Sequence, residues 1–312
     1  MTSVTPYATL EGIDRLTYCT DGSAENFVAA RQCFVDWGLA LAHEAADELL
    51  FETLNGAQLR VLPPTHADLA HTTPMEAGAT LREVTWGMKG DGDLRAPATD
   101  PHGLHHCFQR SAKCSVDLQG SPSNAWGDVQ RVNTPSPVYE RAQPVEIGHI
   151  VLFTQKLSEA VKFYAGLGFV MSDTYPERGA FMRCAPESGH HDVFLLQVPG
   201  KPQGLNHVAF AVRDIHEVFG GGLAMSRAGW KTQLGPGRHP ISSAYFWYFE
   251  CPVGGLIEYN ADEDHLTADW QPREFTPGPT VFAEWAIDGG IDGHTRRQPQ
   301  VAASGQFLSE KR

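Results

Sequence analysis

Three polar residues stand out because each interrupts an apolar, β-rich run: His149 in IGHIVLF, His207 in GLNHVAFAV and Glu258 in GGLIEYN. A strand alternates its faces, so His149 shares a side with Ile147 and Val151, and His207 with Leu205 and Ala209. Burying an imidazole or a carboxylate there costs free energy unless the group is satisfied, and one shared cation would satisfy all three. Two histidines and one carboxylate, with positions left open, form the facial triad that suits non-haem Fe(II). Taken singly, each is more readily a satisfied core histidine or a strand-edge carboxylate. It is the three together that carry the metal expectation.

The elements that must position them occur twice along the chain. GIDRLTYCT (12–20) matches GHIVLFT (148–154), LREVTWGM (81–88) matches LNHVAFAV (205–212), and PHGLHHCF (101–108) matches PVGGLIEY (252–259). After the first member of each half comes a helical stripe, Phe27, Ala30, Phe34 and Trp37 in one and Leu157, Ala160, Val161 and Tyr164 in the other. The chain therefore reads as an α+β pair of related domains. The expected boundaries are 1–110, a connecting segment 111–144 rich in Ser, Pro, Asn and Gln, a metal-binding domain 145–262, and an extension 263–312 whose tail after Ala302 is polar. The repeat also supplies an internal control. The counterparts of His149, His207 and Glu258 are Arg15, Glu83 and Cys107, and an arginine would repel a cation. Only the second half is expected to hold this metal.

Composition narrows the partners. The 312 residues carry 24 Lys and Arg against 37 Asp and Glu, a net charge of −13, with 42% apolar residues. That balance and the lack of a basic cluster argue against nucleic acid or an anionic membrane, and leave small molecules. No run of about 18 apolar residues and no signal-peptide pattern occurs, so a soluble cytoplasmic protein is expected. The six cysteines are scattered without a C-x-x-C pair and are expected as free, buried thiols.

On these residues the second half resembles the type I extradiol ring-cleaving dioxygenases of the vicinal oxygen chelate superfamily. The stretch GPGRHPISSAYFWYFECPVGGLIEYNAD (235–262) is similar to that family's signature, with nine residues from His239 to Tyr248 and ten from Tyr248 to Glu258. RCAPESGHHDVFLLQ (183–197) resembles the segment that carries the family's acid/base histidine. The match falls on His191, with His190 as its rival and an exposed loop place as the plainer reading of His190. Trp247 and Cys251 depart from the usual signature and bear on substrate shape. The first half is abbreviated, since Asp100 follows Met88 by only 12 positions, which leaves no room for the helix and hairpin between Val212 and Cys251.

The resemblance implies two domains of repeated βαβββ modules, and Fe(II), less often Mn(II), held by His149, His207 and Glu258. It implies that His191 acts as acid/base while His239 and Tyr248 bond the substrate hydroxyls. The implied reaction is cleavage of a catecholic ring by O2 beside its paired hydroxyls, in a homo-oligomer. Two alternatives stay open: a glyoxalase-like lyase or isomerase, which would usually recruit a ligand from the other module, and a metal-free small-molecule binder. Tyr245, Phe246, Trp247 and Phe181 suggest an aromatic-lined pocket, and the segment 270–297, with Trp285, is expected over its mouth or at a subunit contact. The spacing of His102, His105 and His106 reads as a turn with a surface or interface role. The run 262–265, Asp-Glu-Asp-His, reads as a solvated turn or a pocket lip. Gly220, Gly221 and Gly222 read as a helix end.

Overall fold

The computed structural model describes residues 7–278, 282–288 and 294–296. The expected polar tail beyond Ala302 lies outside the described residues.

The first half is a seven-stranded sheet with one helix. Its strands are β1 (Thr9–Cys19), β2 (Ala40–Ala45), β3 (Glu48–Glu52), β4 (Gln58–Leu62), β5 (Thr80–Lys89), β6 (Ala98–Thr99) and β7 (His105–Arg110), and the helix is α1 (Ala24–Asp36). The order across the sheet is β2-β3-β4-β1-β5-β7-β6. Ser23 caps α1 by accepting from the Asn26 N–H, and the helix buries Ala30, Cys33 and Phe34, the i, i+3, i+4 stripe legible in the sequence.

The connecting segment carries a small hairpin, β8 (Asn124–Ala125) with β9 (Asp128–Val129). The second half follows with β10 (Glu146–Phe153), α2 (Leu157–Gly166), β11 (Val170–Tyr175), β12 (Gly179–Arg183), β13 (Ser188–Gly189), β14 (Val193–Leu196) and β15 (Gly204–Ala211). It continues through α3 (Ile215–Arg227), β16 (Thr232–Arg238), β17 (Tyr245–Glu250) and β18 (Leu256–Ala261). The extension adds β19 (His265–Leu266), β20 (Arg273–Glu274), β21 (Trp285–Asp288) and β22 (His294–Arg296). The eleven-stranded sheet runs β20-β11-β12-β14-β10-β15-β18-β17-β16-β21-β22, so the extension closes both of its edges.

The internal repeat is reproduced strand for strand. In the first half Arg15 pairs with Thr85 and Thr85 with Cys107; in the second His149 pairs with Ala209 and Ala209 with Glu258. Glu83 and His207 each lie two residues before those middle positions. The abbreviation is real as well: between β5 and β7 the two-residue β6 pairs with β7 as β17 pairs with β18, and among the described residues nothing there stands for α3 or β16.

Two sequence expectations need correction here. Gly220, Gly221 and Gly222 do not end a helix; α3 runs through them. A Cβ on Gly222 would lie 2.0 Å from the Trp247 ring, one on Gly221 2.6 Å from the Ala142 Cβ, and one on Gly220 2.3 Å from the Tyr139 carbonyl oxygen. The glycines are there for close approach, and packing outweighs their helix penalty of about 1 kcal/mol each. The turn histidines are not a surface group either: His102 and His106 are buried and only His105 is half-buried. His102 Nδ1 lies 3.0 Å from the Asp100 carboxylate, Trp86 Nε1–H donates to His106 Nδ1 at 2.9 Å, and the Tyr164 hydroxyl from α2 donates to Asp100 at 3.2 Å. This is an interface inside the chain, between its halves.

One continuous apolar core spans both halves. Trp37, at the end of α1, stacks on Tyr259 at 3.6 Å between ring centres and meets Phe210 and Phe249 edge-on. Among the cysteines, Cys19, Cys33, Cys184 and Cys251 are buried free thiols, whereas Cys107 is half-buried and Cys114 exposed.

Candidate metal centre and pocket

The three strand residues meet at one point. His149 and Glu258 flank the small Ala209 across β10, β15 and β18, and His207 stands two residues along β15 on the same face. Glu258 Oε2 is 3.4 Å from His149 Nε2 and 3.1 Å from His207 Nε2, and the two imidazole nitrogens are 3.3 Å apart. All three side chains are buried. Among the described residues, both Glu258 oxygens and His149 Nδ1 lack a hydrogen-bond partner, an arrangement costly in a buried site and resolved by a cation. Asn206 Oδ1 lies 2.6 Å from His207 Nδ1, so that nitrogen carries the proton and Nε2 presents its lone pair inward. Burial alone would raise the Glu258 carboxyl, but the facing imidazoles of His149, His207 and His239 outweigh it and hold it well below the usual range. Burial, followed by the competing effect of Glu258, leaves His207 lowered. A carboxylate and neutral imidazoles are the protonation states a divalent cation needs. The donor set fits a metal.

Above the triad opens a pocket of about 440 Å³, counting its mouth, lined by His149, His191, His207, His239 and Tyr248 among polar groups. Tyr248 pairs with Glu258 across β17 and β18 and so shares its face. Its hydroxyl is 3.0 Å from His239 Nε2, and His239 Nδ1 is 2.7 Å from the Phe282 carbonyl. A carbonyl can only accept, so His239 carries its proton on Nδ1 and Nε2 accepts from Tyr248. Burial, then the neighbouring Glu258 charge, pushes the Tyr248 hydroxyl well above its ordinary value.

His190 and His191 take different places. His190 is not on an exposed loop: it is wholly buried, with Nε2 2.9 Å from Asp173, whose carboxylate also accepts from Arg273. His191 lines the pocket, its ring 4.0 Å from that of His149, with Nδ1 3.1 Å from both His190 Nδ1 and Glu263 Oε1. Burial and the neighbouring His149 hold His191 well below the usual histidine value, which favours its uncharged form.

Several groups were missed in the sequence. Glu263 belongs to the acidic run yet only 20% of its side chain is exposed, and burial, then Asp192 and Glu258, push its carboxyl up. Asp262 just before it takes the left-handed φ of 63°, the kind of bend that Asp tolerates. His149, His191 and Glu263 therefore make a second donor set that shares one histidine with the triad. The apolar walls are Val151, Tyr175, Phe181, Phe194, Ile241 and Phe282. Of the four aromatics expected there only Phe181 lines the pocket. Trp247 alternates with Tyr248 and packs against Gly222 in the core; Phe246 stacks under His239; Tyr245 packs near Trp285. For Tyr245 and Trp247 the alternation of β17 already carried that information, whereas Phe246 shares the face of Tyr248. The departures at Trp247 and Cys251 therefore concern core packing and not the shape of the pocket.

Comparison with known proteins bears on the fold that carries this arrangement. Residues 146–259 match the family model described as the Glyoxalase/Bleomycin resistance protein/Dioxygenase superfamily. Metapyrocatechase 2 of Cupriavidus necator is 31% identical over 227 residues, which cover 68% of this chain and 66% of that protein. Among solved structures, the Mn(II)-bound glyoxalase from Novosphingobium aromaticivorans superposes with a TM-score of 0.67 at 21% identity, covering 94% of this chain and 97% of that one. BphC, a halotolerant catechol dioxygenase, superposes with a TM-score of 0.65 at 17% identity, covering 91% and 96%. Residues 146–259 belong to that superfamily, and the chain is similar to a metapyrocatechase over slightly less than two thirds of that relative's length. No helix among the described residues is long and apolar enough to cross a membrane.

Proposed function

We propose that this protein cleaves catecholic rings with O2 in the extradiol (meta) position, at a mononuclear metal held by His149, His207 and Glu258. The observation that carries the reading is the convergence of those three side chains beneath a pocket whose remaining polar groups are His191, the His239–Tyr248 pair, Ser242 and Asn260. The resemblance to metapyrocatechase 2 supports the same reaction. His149, His207 and Glu258 would hold Fe(II), or alternatively Mn(II), and the bound metal would supply the one-electron redox chemistry that triplet O2 needs, since O2 reacts poorly with an organic ring on its own.

The chain's own residues do the rest. Two neutral imidazoles and one carboxylate leave a divalent site with a net charge of about +1, which favours a catecholate monoanion. Tyr248 directs its hydroxyl at His239 Nε2, so a substrate hydroxyl approaching Tyr248 has a route for its proton through Tyr248 to His239. His191, neutral and on the opposite wall, is placed to take a proton and return it. Stacked Phe181 and Phe194, 3.9 Å between centres, keep water from that wall.

The pocket also speaks to the substrate. Among the described residues lining it none is Lys or Arg, so a ring carrying a carboxylate would bury that charge unpaired. Uncharged catechols, unsubstituted or with an apolar substituent, are the substrates on this reading. The chemistry then resides in 145–262, with 1–110 as scaffold, 111–144 as connection and 263–312 as an extension that supplies Phe282 to the wall. The protein would work in the cytoplasm as a homo-oligomer, a state sedimentation velocity would check.

An oxygen electrode and optical spectroscopy test the reaction. Iron-loaded protein should consume one O2 per catechol and form a yellow ring-opened product, with 3-methylcatechol turned over far faster than protocatechuate. No O2 uptake with any uncharged catechol sinks the proposal.

A further inference from the structure

The scaffold half has a donor cluster of its own, in the cup that corresponds to the triad. Glu83 and His105 are paired neighbours on β5 and β7, and His71 reaches them from the segment after the short 3-10 turn Ala67–Leu69. His71 Nε2 is 2.9 Å from Glu83 Oε2, and the rings of His71 and His105 meet edge to face at 4.6 Å. One ligand atom from each of the three lies within 4.8 Å of the others. Thr99 Oγ1 sits 3.3 Å from His105 Nδ1, the kind of partner that fixes a ring and frees Nε2 for a metal.

A plain ion pair accounts for less of this. One half-exposed histidine on a carboxylate would need no second imidazole against its edge. Cys107 faces the same cup, but the atoms that gather within reach of one another are those of His71, Glu83 and His105, without its sulfur. Arg15 approaches Glu83 from the other side, 3.9 Å from Oε1, and donates to Thr85. It disfavours a cation without blocking Oε2, and with 30% of its side chain exposed it can turn outward.

We propose that His71, Glu83 and His105 form a second, non-catalytic site for a borderline divalent cation such as Zn2+, which ties the segment around His71 to the first sheet. Imidazole nitrogen with one carboxylate oxygen is a zinc-type donor set, and the exposed face beside His71 leaves room for water as the fourth ligand. The site is independent of the catalytic reading, since it shares no residue with the triad.

The test is equilibrium dialysis of iron-loaded protein against Zn2+, with both metals counted by mass spectrometry and zinc ligation read by X-ray absorption. Wild type and the exposed-histidine control His43→Ala should bind one zinc per chain with iron retained and nitrogen and oxygen ligands around it. His71→Ala and His105→Ala should lose that zinc and keep the iron. Arg15→Gln should bind zinc about tenfold more tightly, as removal of a nearby like charge predicts. Zinc should also slow amide exchange in residues 66–72. Zinc taken up only by displacing iron, no zinc beyond the iron, or an undiminished zinc equivalent in both histidine variants would each overturn the proposal.

Discussion

The two halves of this chain use the same strand register for different ends. At equivalent positions one half holds Arg15, Glu83 and Cys107 and the other His149, His207 and Glu258. In the first, Glu83 already has partners from the chain itself, the Arg15 guanidinium at 3.9 Å and His71 Nε2 at 2.9 Å. In the second, both Glu258 oxygens remain without a hydrogen-bond partner among the described residues. The second half also has α3, β16 and a full-length β17 where the first has only the two-residue β6, and His239 and Tyr248 ride on that longer segment. A β-scaffold of this kind becomes reactive by leaving donors unsatisfied and by adding the hairpin that faces them.

Substitutions at matched positions put that contrast at risk. Glu258→Gln should abolish stoichiometric iron and lower turnover by at least about 10³-fold, whereas Cys107→Ser, its counterpart, should leave both unchanged; metal analysis and an oxygen electrode read the pair. The rival carboxylate is checked in the same assay, since Glu263→Gln should keep its iron, and loss of iron there with retention in Glu258→Gln would reassign the ligand. His191→Phe should retain metal and lose about 10²- to 10⁴-fold in kcat, in keeping with a removed acid/base group.

The join between the halves should respond to pH. Burial pushes the Asp100 carboxyl up, but hydrogen bonds from His102 and His106 outweigh it and hold it depressed. A depressed carboxyl contributes stability above its unfolded value of about 3.9 and loses it as pH falls through the folded value. Asp100→Asn should therefore cost about 3 kcal/mol at neutral pH and flatten the loss of stability below about pH 4, as measured by denaturant titration. The smallest effect belongs to the helix that only the second half has: Gly222→Ala should destabilise by about 1 to 3 kcal/mol through overpacking on Trp247, and Trp247→Phe in the same chain should recover part of it.

Much of this was legible in the sequence, and the reasons are specific. Polar residues inside apolar strands betray themselves, which is why His149, His207 and Glu258 and their counterparts could be paired before any coordinates. The stripes of α1 and α2 obey the helical period. Other features depend on partners distant in the chain. His102 and His106 resemble surface histidines until Tyr164, from another half, closes over Asp100. The three glycines look like a helix stop until Trp247 is brought against them. Glu263 became visible only when the bend at Asp262 turned the chain toward His191. The misplaced aromatics are a different case, because period-two alternation separates Trp247 from Tyr248 without any coordinates.

The stacking of Trp37 on Tyr259 bears on why a half without the triad persists. Tyr259 follows Glu258 directly on β18, its ring on the opposite face, and its hydroxyl donates to the Trp37 carbonyl at 2.8 Å. The scaffold half thus backs the very strand that holds the carboxylate. A gene trimmed to residues 145–262 would expose Phe210, Phe249 and Tyr259 together and leave that strand unbraced. Inheritance of the first half is enforced by its neighbour's core, so mutation is free to rewrite its cup but not to delete it.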